Sequence, residues 1–162
     1  MQRRGFVMIH SLCKSKQQSR RQASPVETIG QASADSASVA MIYRSELDYI
    51  SRCILDSKTI ETGGQLFGFW TSTGIPVVLY AIGPGPHANH QCTFFNQDVD
   101  YLVKVGNMLL QRYGLQHIGE WHSHHQLGLA HPSGHDASNM QMVIDQKHLG
   151  RFLLCIGNCD AH

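Results

Sequence analysis

Residues 151–156 (Arg-Phe-Leu-Leu-Cys-Ile) are almost wholly apolar, the pattern of a strand buried inside a sheet rather than lying on a surface. This run is the last of a series in which strand-like segments alternate with helical ones, and that alternation restricts the chain to an α/β fold. Residues 40–43 read as a short strand. A helix follows over 45–56, with Leu47, Ile50, Ile54 and Leu55 at helical spacing and Ser45 as its N-cap. Glu61-Thr62-Gly63-Gly64 breaks the helical pattern, and 65–70 and 76–82 read as a hairpin around Thr71-Ser72-Thr73-Gly74. The loop 83–86 closes it. A short strand is expected at 93–95, then a helix from Asp98 to Tyr113 that ends at Gly114, a strand at 117–123, a polar loop to Pro132 and a helix over 134–146. With 162 residues there is material for one core, so the expected fold is a single α/β domain with a mixed sheet flanked by helices. The order is too irregular for a doubly wound sheet.

Residues 1–38 are rich in Gln, Ser, Arg and Ala without a sustained apolar period, which predicts a disordered arm ahead of a domain over 39–162. In the arm, Arg3, Arg4, Lys14, Lys16, Arg20 and Arg21 all precede the first acid, Glu27. That is the character of an organelle transit peptide, and equally of any short basic tail. A formal net charge of +1 gives no strong attraction to nucleic acid. No apolar run reaches the ~18–20 residues of a membrane span. Five dispersed cysteines (Cys13, Cys53, Cys92, Cys155, Cys159) without C-x-x-C spacing suit neither a disulfide framework nor a cysteine zinc finger. A reducing compartment, the cytoplasm, is the expected location.

The chain carries 11 histidines among few charged residues, and the densest chemistry lies between Gly119 and Asp136. In an extended strand residues i and i+2 project to the same side, so His122 and His124 can present two imidazoles to one ion. Asp136, one turn into the following helix, can supply a third ligand. Two histidines and a carboxylate leave a tetrahedral zinc ion one open position, as catalysis requires and structural sites do not. Glu61, before Gly63-Gly64 at a strand entrance, is the candidate general base, and the Ser133 hydroxyl can donate to a developing oxyanion. Other readings stand beside these. Ser133 and Asp136 fit a capping box, and Glu61 alone would be an ordinary surface glutamate. Trp121 should face the opposite side of the sheet from His122, into the core. His117 reads as structural, and His125, His131 and His135 as solvated.

At these residues the sequence resembles the JAMM (MPN+) metalloprotease family, whose pattern is a glutamate before a glycine-containing strand, then H-S/T-H, a spacer and S-x-x-D. The matching positions are Glu61 ahead of Gly63-Gly64-Gln65-Leu66-Phe67-Gly68, His122-Ser123-His124, and Ser133-Gly134-His135-Asp136. The family's proline after the second histidine is His125 here, and eight residues rather than seven separate His124 from Ser133. The resemblance implies a curved mixed sheet of the MPN/JAB, cytidine-deaminase-like architecture, with further strand structure usual after residue 156. It implies one Zn2+ per chain held by His122, His124 and Asp136, with Glu61 and Ser133 as catalytic residues. It also implies hydrolysis of peptide or isopeptide bonds at the C-terminus of ubiquitin or a ubiquitin-like protein. The alternatives are a protease processing a sulfur-carrier or other ubiquitin-like precursor, an inactive MPN-type scaffold that binds partner proteins, and a non-proteolytic metal-binding protein.

Overall fold

A computed structural model describes residues 5–13, 39–92, 94–124 and 131–159. In chain order the elements are β1 (Gly5–Cys13), β2 (Met41–Ile42), α1 (Arg44–Asp56), β3 (Gly63–Trp70), β4 (Pro76–Ala81), β5 (Asn89–Gln91), β6 (Phe94–Asn96), α2 (Val99–Tyr113), β7 (Gln116–Ser123), α3 (Gly134–Gln146) and β8 (Arg151–Cys159). The expected hairpin forms between β3 and β4. Gly74 sits at φ 86°, a left-handed conformation that costs glycine little, and its N–H closes the turn on the Thr71 carbonyl at 2.9 Å.

Six strands share one mixed sheet in the order β1-β8-β7-β3-β4-β2, and β5 and β6 form a separate two-stranded ribbon. β3 runs antiparallel to both β4 and β7, whereas β7 and β8 are parallel, which requires α3 to cross between them. Register shifts interrupt both pairings of β3, near Leu66, Phe67 and Gly68, and such bulges bend a strand. The sheet curls there.

The apolar run of β8 is explained by what covers it. Leu153 and Cys155 face α1 through Ile50 and Ile54, while Phe152, Leu154 and Ile156 face Met140 and Ile144 of α3. Both faces are covered, so neither parity of the strand can be polar. Trp121 lies on the α1 side and is 1% exposed, with its indole N–H donating to the Ile82 carbonyl at 3.0 Å, as alternation with His122 requires. Complete burial of each such aliphatic side chain contributes about 1.5–3 kcal/mol. α2 packs on the other face through Leu109 against Phe67 and Ile82.

Three expectations are corrected. The arm is not disordered throughout, because Gly5–Cys13 is β1, paired antiparallel with the whole of β8 from Gly5↔Cys159 to Cys13↔Arg151. Its partner lies at the far end of the chain, so local composition carries no trace of it, and the pairing satisfies the backbone of what would otherwise be a sheet edge. Ser45 is not the N-cap of α1. Tyr43 takes that place, its carbonyl accepting from the N–H groups of Glu46 and Leu47, while the Ser45 hydroxyl donates to Glu46. The short strand expected at 93–95 is β6 at Phe94–Asn96, and its partner β5 was not foreseen. The remainder of the basic arm, Thr93, and the loop holding His125 lie outside the described residues. Among the described residues no helix is long and apolar enough to cross a membrane.

Candidate metal centre

β7 lies between β8 and β3, and its C-terminal end delivers both histidines. The His124 N–H extends the parallel ladder by donating to the Gly157 carbonyl at 2.9 Å, so the His122–His124 segment stays extended and both rings project to one side. The ring nitrogens Nε2 of His122 and His124 lie 3.0 Å apart. Asp136 completes the group, with Oδ1 3.6 Å from His122 Nε2 and Oδ2 3.4 Å from His124 Nε2. An ion bonded tetrahedrally to N and O donors at ~2.0–2.1 Å holds those donors ~3.3 Å apart. The three observed separations bracket that edge, so these residues can hold a metal ion. The chemistry of the set agrees, since two neutral imidazoles and one anion suit a divalent cation.

Asp136 belongs to this group and to a helix cap at once. The Ser133 hydroxyl accepts from the Asp136 N–H at 3.2 Å, and Asp136 Oδ2 accepts from the Ser133 N–H at 2.6 Å. The capping box therefore aims the carboxylate at the histidines rather than competing with them. Burial pushes Asp136 up, but hydrogen bonds from His122, His124 and Ser133 outweigh it and hold the carboxyl well below the usual range. It is an anion at neutral pH, as a ligand must be. Ser133 also lines the cavity.

Glu61 reaches the same cavity, of about 620 Å³, from across the sheet. Its backbone is fixed on two sides. The Glu61 N–H donates to the Gln91 carbonyl of β5 at 2.9 Å, and His90 Nδ1 donates to the Glu61 carbonyl at 2.9 Å. Next to it, Thr62 N–H donates to the Ser123 hydroxyl at 3.1 Å, and Ser123 N–H donates to the Thr62 carbonyl at 2.8 Å. Burial raises the Glu61 carboxyl above its ordinary value, against the pull of the His122 and His124 rings. A carboxyl so placed is suited to exchanging a proton. The two glycines after it are required by space: a Cβ on Gly63 would lie 2.6 Å from the Trp121 carbonyl oxygen and 2.7 Å from the Phe95 ring.

All five residues singled out in the sequence thus meet on one cavity. His117 is structural as expected, tilted against Phe67, edge-on to Phe152 and bonded to Gln65. Burial, with Lys147 adding to it, drives its pKa down to about 4. His131 and His135 are exposed, but His135 also forms part of the cavity wall, where Asn139 Nδ2 donates to its ring at 3.1 Å. Sequence reasoning missed Ser123, and it missed Gln65, Phe95, Gln97 and Glu120, which line the cavity away from the ligands. The period-two rule that paired His122 with His124 also puts Glu120 on their side of β7.

No family model matches the chain, and no curated protein matches its sequence.

Proposed function

We propose that the protein is a zinc-dependent metallopeptidase of the JAMM type that cleaves peptide or isopeptide bonds at the C-terminus of ubiquitin or a ubiquitin-like protein. One observation carries the reading: Glu61, His122, His124, Ser133 and Asp136, from three separated segments, converge on one cavity with the ligand atoms at tetrahedral spacing. The mixed, curled sheet with its flanking helices is consistent with the MPN/JAB, deaminase-like architecture.

Zinc bound by His122, His124 and Asp136 would supply Lewis acidity, polarising a carbonyl and lowering the pKa of water. The remaining work belongs to side chains. Glu61, raised by burial, takes the proton of the attacking water and returns it to the departing amine. The Ser133 hydroxyl donates to the oxyanion of the tetrahedral intermediate as negative charge develops.

The test is cleavage of a ubiquitin–lysine isopeptide conjugate and of a linear ubiquitin-like precursor by the zinc-supplemented protein. Activity that a chelator removes and zinc restores supports the reading, and cleavage of the precursor alone would specify a processing protease. A protein that binds zinc and cleaves neither would be a scaffold.

A further inference from the structure

Beyond the ligands, the cavity continues over a second group of polar side chains whose hydrogen bonds all run in one direction. His117 donates through Nε2 to Gln65 Oε1, Gln65 Nε2 donates to Gln97 Oε1 at 2.8 Å, and Gln97 Nε2 donates to the Gly83 carbonyl at 3.1 Å. The Gln65 amide turns its NH2 group towards Gln97 and its oxygen towards His117. Glu120 is the direct cross-strand partner of Gln65 and lines the same cavity; burial raises its carboxyl above the ordinary value, while His122 and a side-chain hydrogen bond from Gln65 pull it back towards the charged form. The chain thus spends its donors internally and presents a carboxylate to the cavity. One amide bond satisfies only part of a carboxylate's capacity of about four acceptor sites. The Phe95 side chain borders the same space and supplies an apolar wall for a side-chain stem.

We infer that Glu120 and Phe95 form a subsite for a cationic side chain, lysine or arginine, of a substrate residue close to the scissile bond. Its place beside a scissile bond rests on the peptidase reading, but the binding of a cation does not. The acid sits on a strand cross-braced by Gln65, so the subsite is rigid, and a carboxylate at a part-buried position selects a cation over a neutral group of the same shape. Metal ligation is a separate task, since Glu120 is outside the group whose donor atoms converge.

The test uses the full chain, supplied with zinc, and methylguanidinium, which remains charged and has no lone pair to offer a metal. N-methylurea is its neutral counterpart. Backbone and side-chain amide resonances of Gly64, Gln65 and Glu120 report on the subsite by NMR. Saturable shifts with methylguanidinium, absent with N-methylurea and weakened roughly tenfold in Glu120→Gln, are expected. Equal responses to both probes, no response to either, or undiminished binding in the variant would overturn the subsite. The wild-type comparison stands without the variant should Glu120→Gln not fold. If the protein cleaves no substrate yet binds the cation in this way, the peptidase reading fails and the subsite remains.

Discussion

The hydroxyl of Ser123 accepts the backbone N–H of Thr62 at 3.1 Å, and the Ser123 N–H returns a hydrogen bond to the Thr62 carbonyl at 2.8 Å. Ser123 separates the two histidines in the chain, and Thr62 follows the glutamate. One pair of residues therefore fixes the backbone beside Glu61 relative to the segment that carries both imidazoles. Ser123 is 0% and Thr62 1% exposed, so no water can replace the hydroxyl if it is removed. Ser123→Ala should lower stability by about 1–3 kcal/mol, the cost of an unsatisfied buried N–H. It should also reduce turnover while leaving metal content near that of the wild type. Thermal unfolding and elemental analysis together check this, and an unchanged melting temperature would show that Thr62 finds another acceptor.

Metal content is the most direct probe of the ligand group. The wild type should carry about one zinc per chain and Asp136→Ala markedly less, because the variant removes the anionic donor. Asp136→Ala also removes half of the capping box, which alone costs about 1 kcal/mol. Asp136→Asn separates the two roles, retaining a side-chain acceptor for the Ser133 N–H while lacking the charge.

Glu61→Gln should retain zinc and lose turnover by about 100-fold or more, within the range of general acid–base contributions. The substitution preserves shape and removes the ability to accept a proton. Full activity in this variant would end the assignment of Glu61 as the base.

His117 makes stability depend on pH. Its pKa falls from 6.5 to about 4 on folding, so between those values the unfolded chain binds a proton that the native protein does not. Stability from this group is therefore complete above pH 6.5 and is lost as the pH falls towards about 4. His117→Gln, which retains a donor for Gln65, should flatten this part of the profile. Urea unfolding at pH 7.5 and pH 5 would measure the difference, and equal slopes in the two proteins would refute it.

Gly63→Ala should destabilise the protein by about 1–3 kcal/mol through overpacking. The new methyl group would press on the Trp121 carbonyl at 2.6 Å and the Phe95 ring at 2.7 Å. Either strand β3 or the β5–β6 ribbon must move, and Glu61 is tied to both. Loss of turnover beyond the loss of folded protein is the expected signature, read from activity normalised to native fraction.

Much of this protein is legible from short stretches of sequence, because the governing rules act over a few residues. The ends of α3 at Gly134–Gln146, the Gly114 stop of α2 at φ 67° and the shared projection of His122 and His124 all follow from local geometry and appear as expected. The capping box and a ligand role for Asp136 are two compatible readings of the same residues in the sequence. In space they are one arrangement, since the cap points the carboxylate.

The rest depends on pairings between distant segments, whose strength comes from the assembled sheet rather than from any one stretch. Pairing of β1 with β8 joins opposite ends of the chain, and the Gln65↔Glu120 register sets the floor of the cavity. Ser123 reads in the sequence only as the residue between two histidines, and becomes the anchor of Glu61 when β7 and β3 lie side by side. Residue types and local periodicity thus determined which groups are available for chemistry. Only tertiary structure decided which of them share a cavity, because a strand's partners are selected by burial on both faces of the whole sheet.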